Sequence, residues 1–135
     1  MKEKTLVIIK PDGVQRHLIG EIIKRFENKG LKLVAAKFME IDKELAQTHY
    51  KDHKGKPFFD GVVNYLCSAP VMVMVWEADD VIAMVRHMMG TTFGHEAEPG
   101  TIRGDYSASR GFNLIHGSDS PESAEREIGL YFRPN

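Results

Sequence analysis

The sequence of 135 residues contains a single cysteine, Cys67, and no long hydrophobic run. One cysteine cannot form a disulfide within the chain, so the sequence favours a reducing compartment and we predict a cytoplasmic location. The apolar run at residues 6–9 is too short for the core of a signal peptide, and no apolar stretch is long enough to cross a bilayer. We therefore expect no membrane association.

An excess of charge of one sign is also missing. The formal net charge is -1 although 27% of the residues are charged, so there is no overall basic field to hold nucleic acid, and we expect no nucleic-acid partner. Neither a Walker-type loop nor a Gly-x-Gly-x-x-Gly loop opening a helix is present. Any phosphate group would therefore have to be held by side chains at a local site.

The apolar content of 42% is sufficient for one hydrophobic core, and we predict a single domain over residues 1–135. Hydrophobic periodicity predicts four strands, at residues 6–9, 31–39, 71–76 and 113–116, and helices at residues 19–26, 42–50, 59–66, 81–88 and 121–131. Asp79 and Asp80 are candidate caps for the fourth helix, and Ser120 for the last. Residues 91–112 show no period and are predicted to form a functional loop.

The densest group of polar residues with chemical potential is His116-Gly117-Ser118-Asp119-Ser120. Near neutral pH, an unprotonated histidine nitrogen can attack phosphorus if an acceptor holds the other ring nitrogen. Glu127 lies close to the apolar stripe of the last helix, so we predict that it faces inward and pairs with His116 or Ser118. The alternative is that His116 is only a hydrogen-bonded histidine beside a helix cap.

The remaining histidines share no metal-ligand spacing, so no metal site is predicted and they are expected at the surface: His17, His49, His53, His87 and His95.

Other candidate contacts lie outside the histidine segment. Phe58 falls off the apolar stripe of its helix, so it should be partly exposed and could stack on a nucleobase, or else pack under a nearby loop. Arg86 lies at a helix rim and Arg103 lies in the long loop with Thr92, while Lys10 follows the first strand. Guanidinium groups match phosphate oxygens, although arginine on a surface loop is common.

Four segments together resemble the nucleoside diphosphate kinase family: Ile9-Lys10-Pro11-Asp12-Gly13, Lys56-Pro57-Phe58-Phe59, Pro99-Gly100-Thr101-Ile102-Arg103-Gly104-Asp105 and Asn113-Leu114-Ile115-His116-Gly117-Ser118-Asp119-Ser120. The most specific part is the His-Gly-Ser-Asp block followed by Glu127-Ile128. The resemblance covers essentially the whole chain. It implies a ferredoxin-like α+β sandwich with a four-stranded antiparallel sheet and added helices.

The resemblance also implies a ping-pong reaction, in which a nucleoside triphosphate phosphorylates His116 and a nucleoside diphosphate removes the phosphate. It implies the following roles: Glu127 and Ser118 orient His116, Lys10 contacts the sugar hydroxyl and phosphate, Arg86, Thr92 and Arg103 hold phosphates, Asn113 contacts the sugar, Phe58 stacks on the base and Tyr50 lines the site. Magnesium would arrive mainly on the nucleotide phosphates. Assembly into a homo-oligomer, a tetramer or a hexamer, is a further implication.

Three departures from the family pattern affect what is carried over. Phe93-Gly94 replaces the usual Asn-Pro after Thr92, so we expect a more mobile loop there. Val62 and Arg110 stand where a leucine and a small or apolar residue usually form the wall of the base site, which leaves base preference open. The chain ends at Asn135 without the longer tail of some members, so the resemblance does not choose between tetramer and hexamer.

Overall fold

The computed structural model describes residues 2–109 and 112–132. The strands are β1 (Lys2–Ile9), β2 (Lys32–Met39), β3 (Val71–Asp79) and β4 (Ile115–Gly117). They form one sheet in the order β2-β3-β1-β4, and every neighbouring pair is antiparallel. The helices described are α1 (Pro11–Gln15), α2 (Ile19–Lys29), α3 (Lys43–His49), α4 (Phe59–Leu66), α5 (Val81–Met89), α6 (Ile102–Tyr106) and α7 (Pro121–Phe132). The predicted α+β sandwich with a four-stranded antiparallel sheet is confirmed.

Strand β1 lies inside the sheet and is buried on both faces, as its unbroken apolar run predicts. Val7 and Ile9 pack into a cluster that includes apolar residues of α2 and α5. Leu6 and Ile8 point to the opposite cluster, which includes apolar residues of α3, α4 and α7. Because side chains alternate along a strand, helices on both faces of the sheet are needed to bury all four positions.

Strand β2 forms one edge of the sheet and pairs with β3. Most of its side chains are exposed, including the apolar Leu33, Val34 and Phe38. The strand predicted at residues 31–39 is therefore present, but within the described part of the chain its apolar edge is uncovered. Long apolar edge strands favour pairing with another chain.

The segment after β1 and the start of α5 differ from the prediction. The Pro-Asp-Gly stop is itself a short helix, α1, with Pro11 in its first turn. Strand β3 continues through Asp79, and Asp80 has a left-handed backbone and makes no side-chain cap. The carboxylate of Glu3 instead accepts a hydrogen bond from the Ile82 amide at 3.0 Å, because Glu3 pairs with Ala78 across β1 and β3.

The described part of the segment 91–112 contains more regular structure than its sequence indicates, namely α6 and a 3-10 turn at Gly94–Glu96. Both elements are too short to show a hydrophobic period. The Thr101 hydroxyl caps α6 at the Gly104 amide, 3.0 Å away. A Cβ at Gly104 would lie 1.8 Å from the Glu98 carbonyl oxygen, so only glycine allows this close approach.

Strand β4 begins at Ile115 rather than at the predicted residue 113, because the backbone turns sharply at Leu114. Leu114 has a φ of 71°, and the Ile115 amide donates to the Asn113 carbonyl at 2.8 Å, which defines a γ-turn. The Leu114 carbonyl accepts from the Lys10 amide at 2.8 Å. The turn therefore fixes the start of β4 against the end of β1.

Within the described part of the chain, no helix combines the length and apolar character needed to span a membrane.

Candidate active site

Two adjoining cavities contain nearly all of the predicted site residues. The smaller, about 220 Å³, includes His116, Arg86, Arg103 and Glu127 among its lining residues, and the larger, about 720 Å³, includes Phe58. Four residues line both cavities and make them one continuous cleft: Lys10, Tyr50, Thr92 and Asn113. Ser118 lies behind the cleft wall and is fully buried. A larger depression between α2, α5 and residues 98–101 includes only Arg86 of the predicted set.

The His116 ring is held from one side by Glu127. Its Nε2 lies 2.8 Å from Glu127 Oε1, and the same carboxylate oxygen accepts a hydrogen bond from the Ser118 hydroxyl at 2.8 Å. Glu127 is only 4% exposed, which confirms its predicted inward orientation. The backbone sets this geometry because β4 carries His116, while Ser120 caps α7 by accepting from the Ser123 amide.

The Glu127 carboxylate is ionised although it is buried. Burial alone would raise its pKa, but the hydrogen bonds from His116 and the Ser118 hydroxyl lower it. A carboxylate can only accept hydrogen bonds, so the proton of a neutral His116 belongs on Nε2. The lone pair of the imidazole is therefore on Nδ1.

The prediction that His49 lies at the surface is wrong. Its side chain is buried, its Nε2 lies 3.2 Å from His116 Nε2 and its Nδ1 lies 2.8 Å from the Tyr131 hydroxyl. Burial, together with the adjacent His116, lowers the pKa of His49 to about 3, so the ring is neutral at physiological pH. His49, His116 and Glu127 form a group of potential metal ligands, and the expectation of no metal site stays a prediction.

Lys10 and Asn113 bridge the two ends of the chain. Lys10 Nζ donates to Asn113 Oδ1 at 2.9 Å, and Asn113 Nδ2 donates to the Thr92 carbonyl at 3.0 Å. Burial and the nearby Arg103 lower the pKa of Lys10 to about 8. An anionic ligand stabilises a cation in such surroundings strongly, because the ligand replaces the water that burial has removed.

The two arginines of the site differ in their surroundings. Arg103 is buried and donates to three backbone carbonyls, those of Asn113, Gly90 and Ile115, at 3.1, 3.1 and 2.6 Å. Arg86 is exposed and donates to the Gly117 carbonyl at 3.1 Å. Because a guanidinium has five N–H groups, both side chains retain donors for a ligand.

Aromatic side chains line the larger cavity. Phe58 is 51% exposed, as predicted, and stands at the start of α4, while Phe93 and Phe112 belong to the segments between α5 and β4. Val62 also lines this cavity, whereas Arg110 lies outside the described residues. The greater mobility expected from Phe93-Gly94 stays a prediction. The cavity offers flat, apolar surfaces of the kind that bind aromatic ligands.

Exposed large apolar side chains occur in two places in the described chain. Three lie on β2, and the other three line the larger cavity: Leu33, Val34 and Phe38 in the first group, and Phe58, Phe93 and Phe112 in the second. Contiguous exposed apolar surface usually marks a binding site. One group is therefore associated with the cleft and the other with the sheet edge.

The burial of His49 has a signal in the sequence. On α3, His49 lies three and four residues after Ala46 and Leu45, so it shares their apolar face. Phe112 could have been found from its position beside Asn113. Arg126 donates to the His49 carbonyl at 3.2 Å and carries no such signal, because its place in the cleft depends on tertiary structure.

Comparison with known proteins agrees with this fold and identifies the family. The family model described as nucleoside diphosphate kinase matches residues 3–135. A nucleoside diphosphate kinase of Carboxydothermus hydrogenoformans is 60% identical over 131 residues, which cover 97% of this chain and 88% of that protein.

Solved structures of nucleoside diphosphate kinases are also similar. The enzyme of Halobacterium salinarum in complex with CDP has a TM-score of 0.96 at 55% identity, over 99% of this chain and 90% of that one. The enzyme of Aquifex aeolicus has a TM-score of 0.94 at 37% identity, over 98% of this chain and 96% of that one. With the family model, the curated relative and the fold in agreement, the chain belongs to the nucleoside diphosphate kinase family.

Proposed function

We propose that this chain transfers the γ-phosphate of a nucleoside triphosphate to a nucleoside diphosphate by a ping-pong route through a phosphohistidine at His116. The observation that carries the proposal is the hydrogen bond between His116 Nε2 and the ionised Glu127, which directs the free lone pair to Nδ1. Because the other ring nitrogen is held, the ring is oriented before substrate arrives.

In the first half-reaction, His116 Nδ1 attacks the γ-phosphorus, the bond to the bridging oxygen breaks and the nucleoside diphosphate leaves with that electron pair. The phosphorylated ring is cationic while Nε2 keeps its proton, and Glu127 lies 2.8 Å from it, where a negative charge stabilises it. In the second half-reaction, a terminal oxygen of another diphosphate attacks the phosphorus and the N–P bond breaks. The second half-reaction thereby regenerates neutral His116.

The rest of the cleft supplies nucleotide contacts. The small cavity beside His116 is lined by Arg86, Arg103, Thr92 and Lys10. The hydrogen-bond donors of these side chains would contact the transferred phosphate and its neighbours. Asn113 lies at the junction of the two cavities and would contact the sugar. Phe58 and Tyr50 line the larger cavity, in which the base would stack on the Phe58 ring. Stacking does not read base edges and therefore tolerates different bases.

Magnesium fits this cleft when the nucleotide carries it. Glu127 is already bound to His116 and Ser118, which leaves Asp52 and Asp119 as the carboxylates lining the small cavity. A hydrogen bond from Ser123 lowers the pKa of Asp119, so it is available as an oxygen ligand. Two separate carboxylates do not supply the octahedral coordination that magnesium requires, so phosphate oxygens would complete the coordination of the ion. The bound ion would neutralise phosphate charge.

Labelling the protein with γ-labelled ATP tests the proposed function directly. We expect one acid-labile, base-stable label on each chain, which added GDP removes as labelled GTP. A hydrolase would release the label as free phosphate without GDP, and a nucleotide-binding module without turnover would never become labelled. Either result contradicts the kinase assignment.

We also propose that the chain forms a homo-oligomer, a tetramer or a hexamer, in which two copies pair along β2. The support is the exposed edge of the sheet, where Leu33, Val34 and Phe38 lie on the eight-residue strand β2. A second copy would present the same edge, so pairing of the two β2 strands would cover the exposed sheet edge of both copies. Organisation as one domain over residues 1–135 and a cytoplasmic location stay predictions.

Light scattering coupled to size-exclusion chromatography tests this assembly. We expect the unaltered chain to elute as a tetramer or hexamer and the double variant Val34→Glu, Phe38→Glu to yield smaller species, because charges at two exposed positions of β2 oppose its burial. The matched control is Phe93→Glu, which alters an equally exposed aromatic residue away from β2. A monomeric parent chain, or a double variant of unchanged mass, would refute pairing along β2.

A further inference from the structure

We propose that His49, His116 and Glu127 form a binding site for a borderline-soft divalent cation such as Zn²⁺, and that occupation of this site prevents His116 from accepting phosphate. The site is distinct from that of the magnesium carried on the nucleotide. Its first part, cation binding, stands on geometry alone. Its second part rests on the proposed role of His116.

The three residues bring potential ligand atoms close to the spacing that a tetrahedral cation requires. The two Nε2 atoms lie 3.2 Å apart, and the Glu127 carboxylate lies 2.8 Å from His116 Nε2 through Oε1 and 3.7 Å from His49 Nε2 through Oε2. Zinc–nitrogen and zinc–oxygen bonds are about 2.0–2.1 Å long, so adjacent ligands of a tetrahedral zinc ion are separated by roughly 3.3–3.4 Å. The observed separations lie on both sides of this value, and one ligand atom from each residue lies within 4.8 Å of the other two.

The ligand types favour zinc over magnesium. Two imidazoles and one carboxylate are the His₂Glu set of zinc sites that keep a fourth position open. Magnesium instead prefers six oxygen ligands. His116 is 17% exposed, and it faces the small cavity, so water can occupy the fourth position.

Outer hydrogen bonds already orient the proposed ligands. The Tyr131 hydroxyl contacts His49 Nδ1 at 2.8 Å, and the Ser118 hydroxyl donates to Glu127. Such partners are typical around metal-ligating histidines and carboxylates. Arg126 Nη2 lies 3.9 Å from Glu127 Oε2 and opposes a second cation, so we expect weaker binding than at a structural zinc site.

The cation would change which nitrogen of His116 carries the proton. Coordination uses the lone pair of Nε2, so the single proton of the neutral ring moves to Nδ1 without net release. The Nδ1 lone pair needed to attack phosphorus is then lost. Zinc would therefore block phosphate acceptance without occupying any nucleotide contact.

Cobalt(II) provides a direct test of the site, because four-coordinate cobalt absorbs strongly in the visible range and hexaaqua cobalt does not. We expect one equivalent of Co²⁺ per chain to produce this band and Zn²⁺ to remove it. The band should be absent in His49→Gln and retained in the control His87→Gln, which alters an exposed histidine on α5. Absence of the band in the parent chain, or its retention in His49→Gln, would overturn the site.

Long-range proton–nitrogen NMR spectra of the parent chain test the switch without any variant. We expect the His116 ring to change from the Nε2–H to the Nδ1–H tautomer when Zn²⁺ binds, and an unchanged tautomer would overturn the switch. Labelling by γ-labelled ATP should fall when Zn²⁺ is bound and recover after 1,10-phenanthroline removes it. A zinc-bound chain that labels normally refutes only the switch, whereas a metal-free chain that never labels refutes the proposed function.

Discussion

His116→Ala should abolish phosphate acceptance and exchange, with a loss of at least about 10⁴-fold in turnover, the scale seen when an enzyme loses its nucleophile. The reason is that Nδ1 of His116 carries the lone pair proposed to form the bond to phosphorus. We measure exchange by the transfer of label from ATP to GDP. The free energy of unfolding should fall by no more than about 1–2 kcal/mol, because Glu127 keeps its hydrogen bond from Ser118.

His116→Gln serves as the matched variant for this prediction. Its amide can still donate to Glu127 but cannot act as a nucleophile, so we expect it to be equally inactive and more stable than the alanine variant. His87→Ala, at an exposed position, should remain active. Retained labelling in either His116 variant would contradict the phosphohistidine. A collapse of stability in both would indicate that His116 is chiefly a structural histidine.

Arg103→Ala should have the largest effect on stability among the phosphate-side residues. The buried guanidinium joins the end of α5, the γ-turn region and β4 by hydrogen bonds to three carbonyls. Hydrogen bonds from a charged donor each contribute about 1.5–3 kcal/mol, and the buried carbonyls would be left unpaired, so we expect a loss on the order of 3–5 kcal/mol. Urea unfolding at a fixed protein concentration measures this loss.

Arg86→Ala is the control that separates structure from ligand binding at Arg103. Arg86 is exposed and makes one hydrogen bond, to the Gly117 carbonyl, so its loss should change the free energy of unfolding by about 1 kcal/mol or less. Both variants should weaken nucleotide binding, measured by calorimetry. Equal stability of the two variants would show that the carbonyl contacts of Arg103 contribute little.

Features governed by local periodicity could be predicted from the sequence. The inward position of Glu127 follows from its place on a helix face, and the burial of residues 6–9 follows from an apolar run too short for a core helix. Ser120 is a recognisable cap because its hydroxyl lies just before the first helical residue, Pro121. These properties depend on neighbours within a few positions in the chain.

Features governed by strand register could not be predicted. Glu3 caps α5 only because β1 and β3 align it with Ala78, and the γ-turn at Leu114 depends on a hydrogen bond from Lys10. The hydrogen bonds from Arg103 to three backbone carbonyls likewise require α6, α5 and β4 to be in place. The sequence indicated which residues carry chemistry, but not how many of them also hold the backbone together.

The pairing of β4 with β1 has a consequence for the order of folding. The Ser118 hydroxyl accepts from the Leu6 amide, and Lys10 donates to Asn113, so residues more than a hundred positions apart must meet before the cleft exists. Such distant contacts form late, because closing a long loop costs conformational entropy. During synthesis on a ribosome, the edge of β1 that pairs with β4 stays unpaired until the last fifth of the chain has been made. We therefore expect a nascent chain that ends before α7 to be inactive. Such a chain is also the one most prone to incorrect strand pairing.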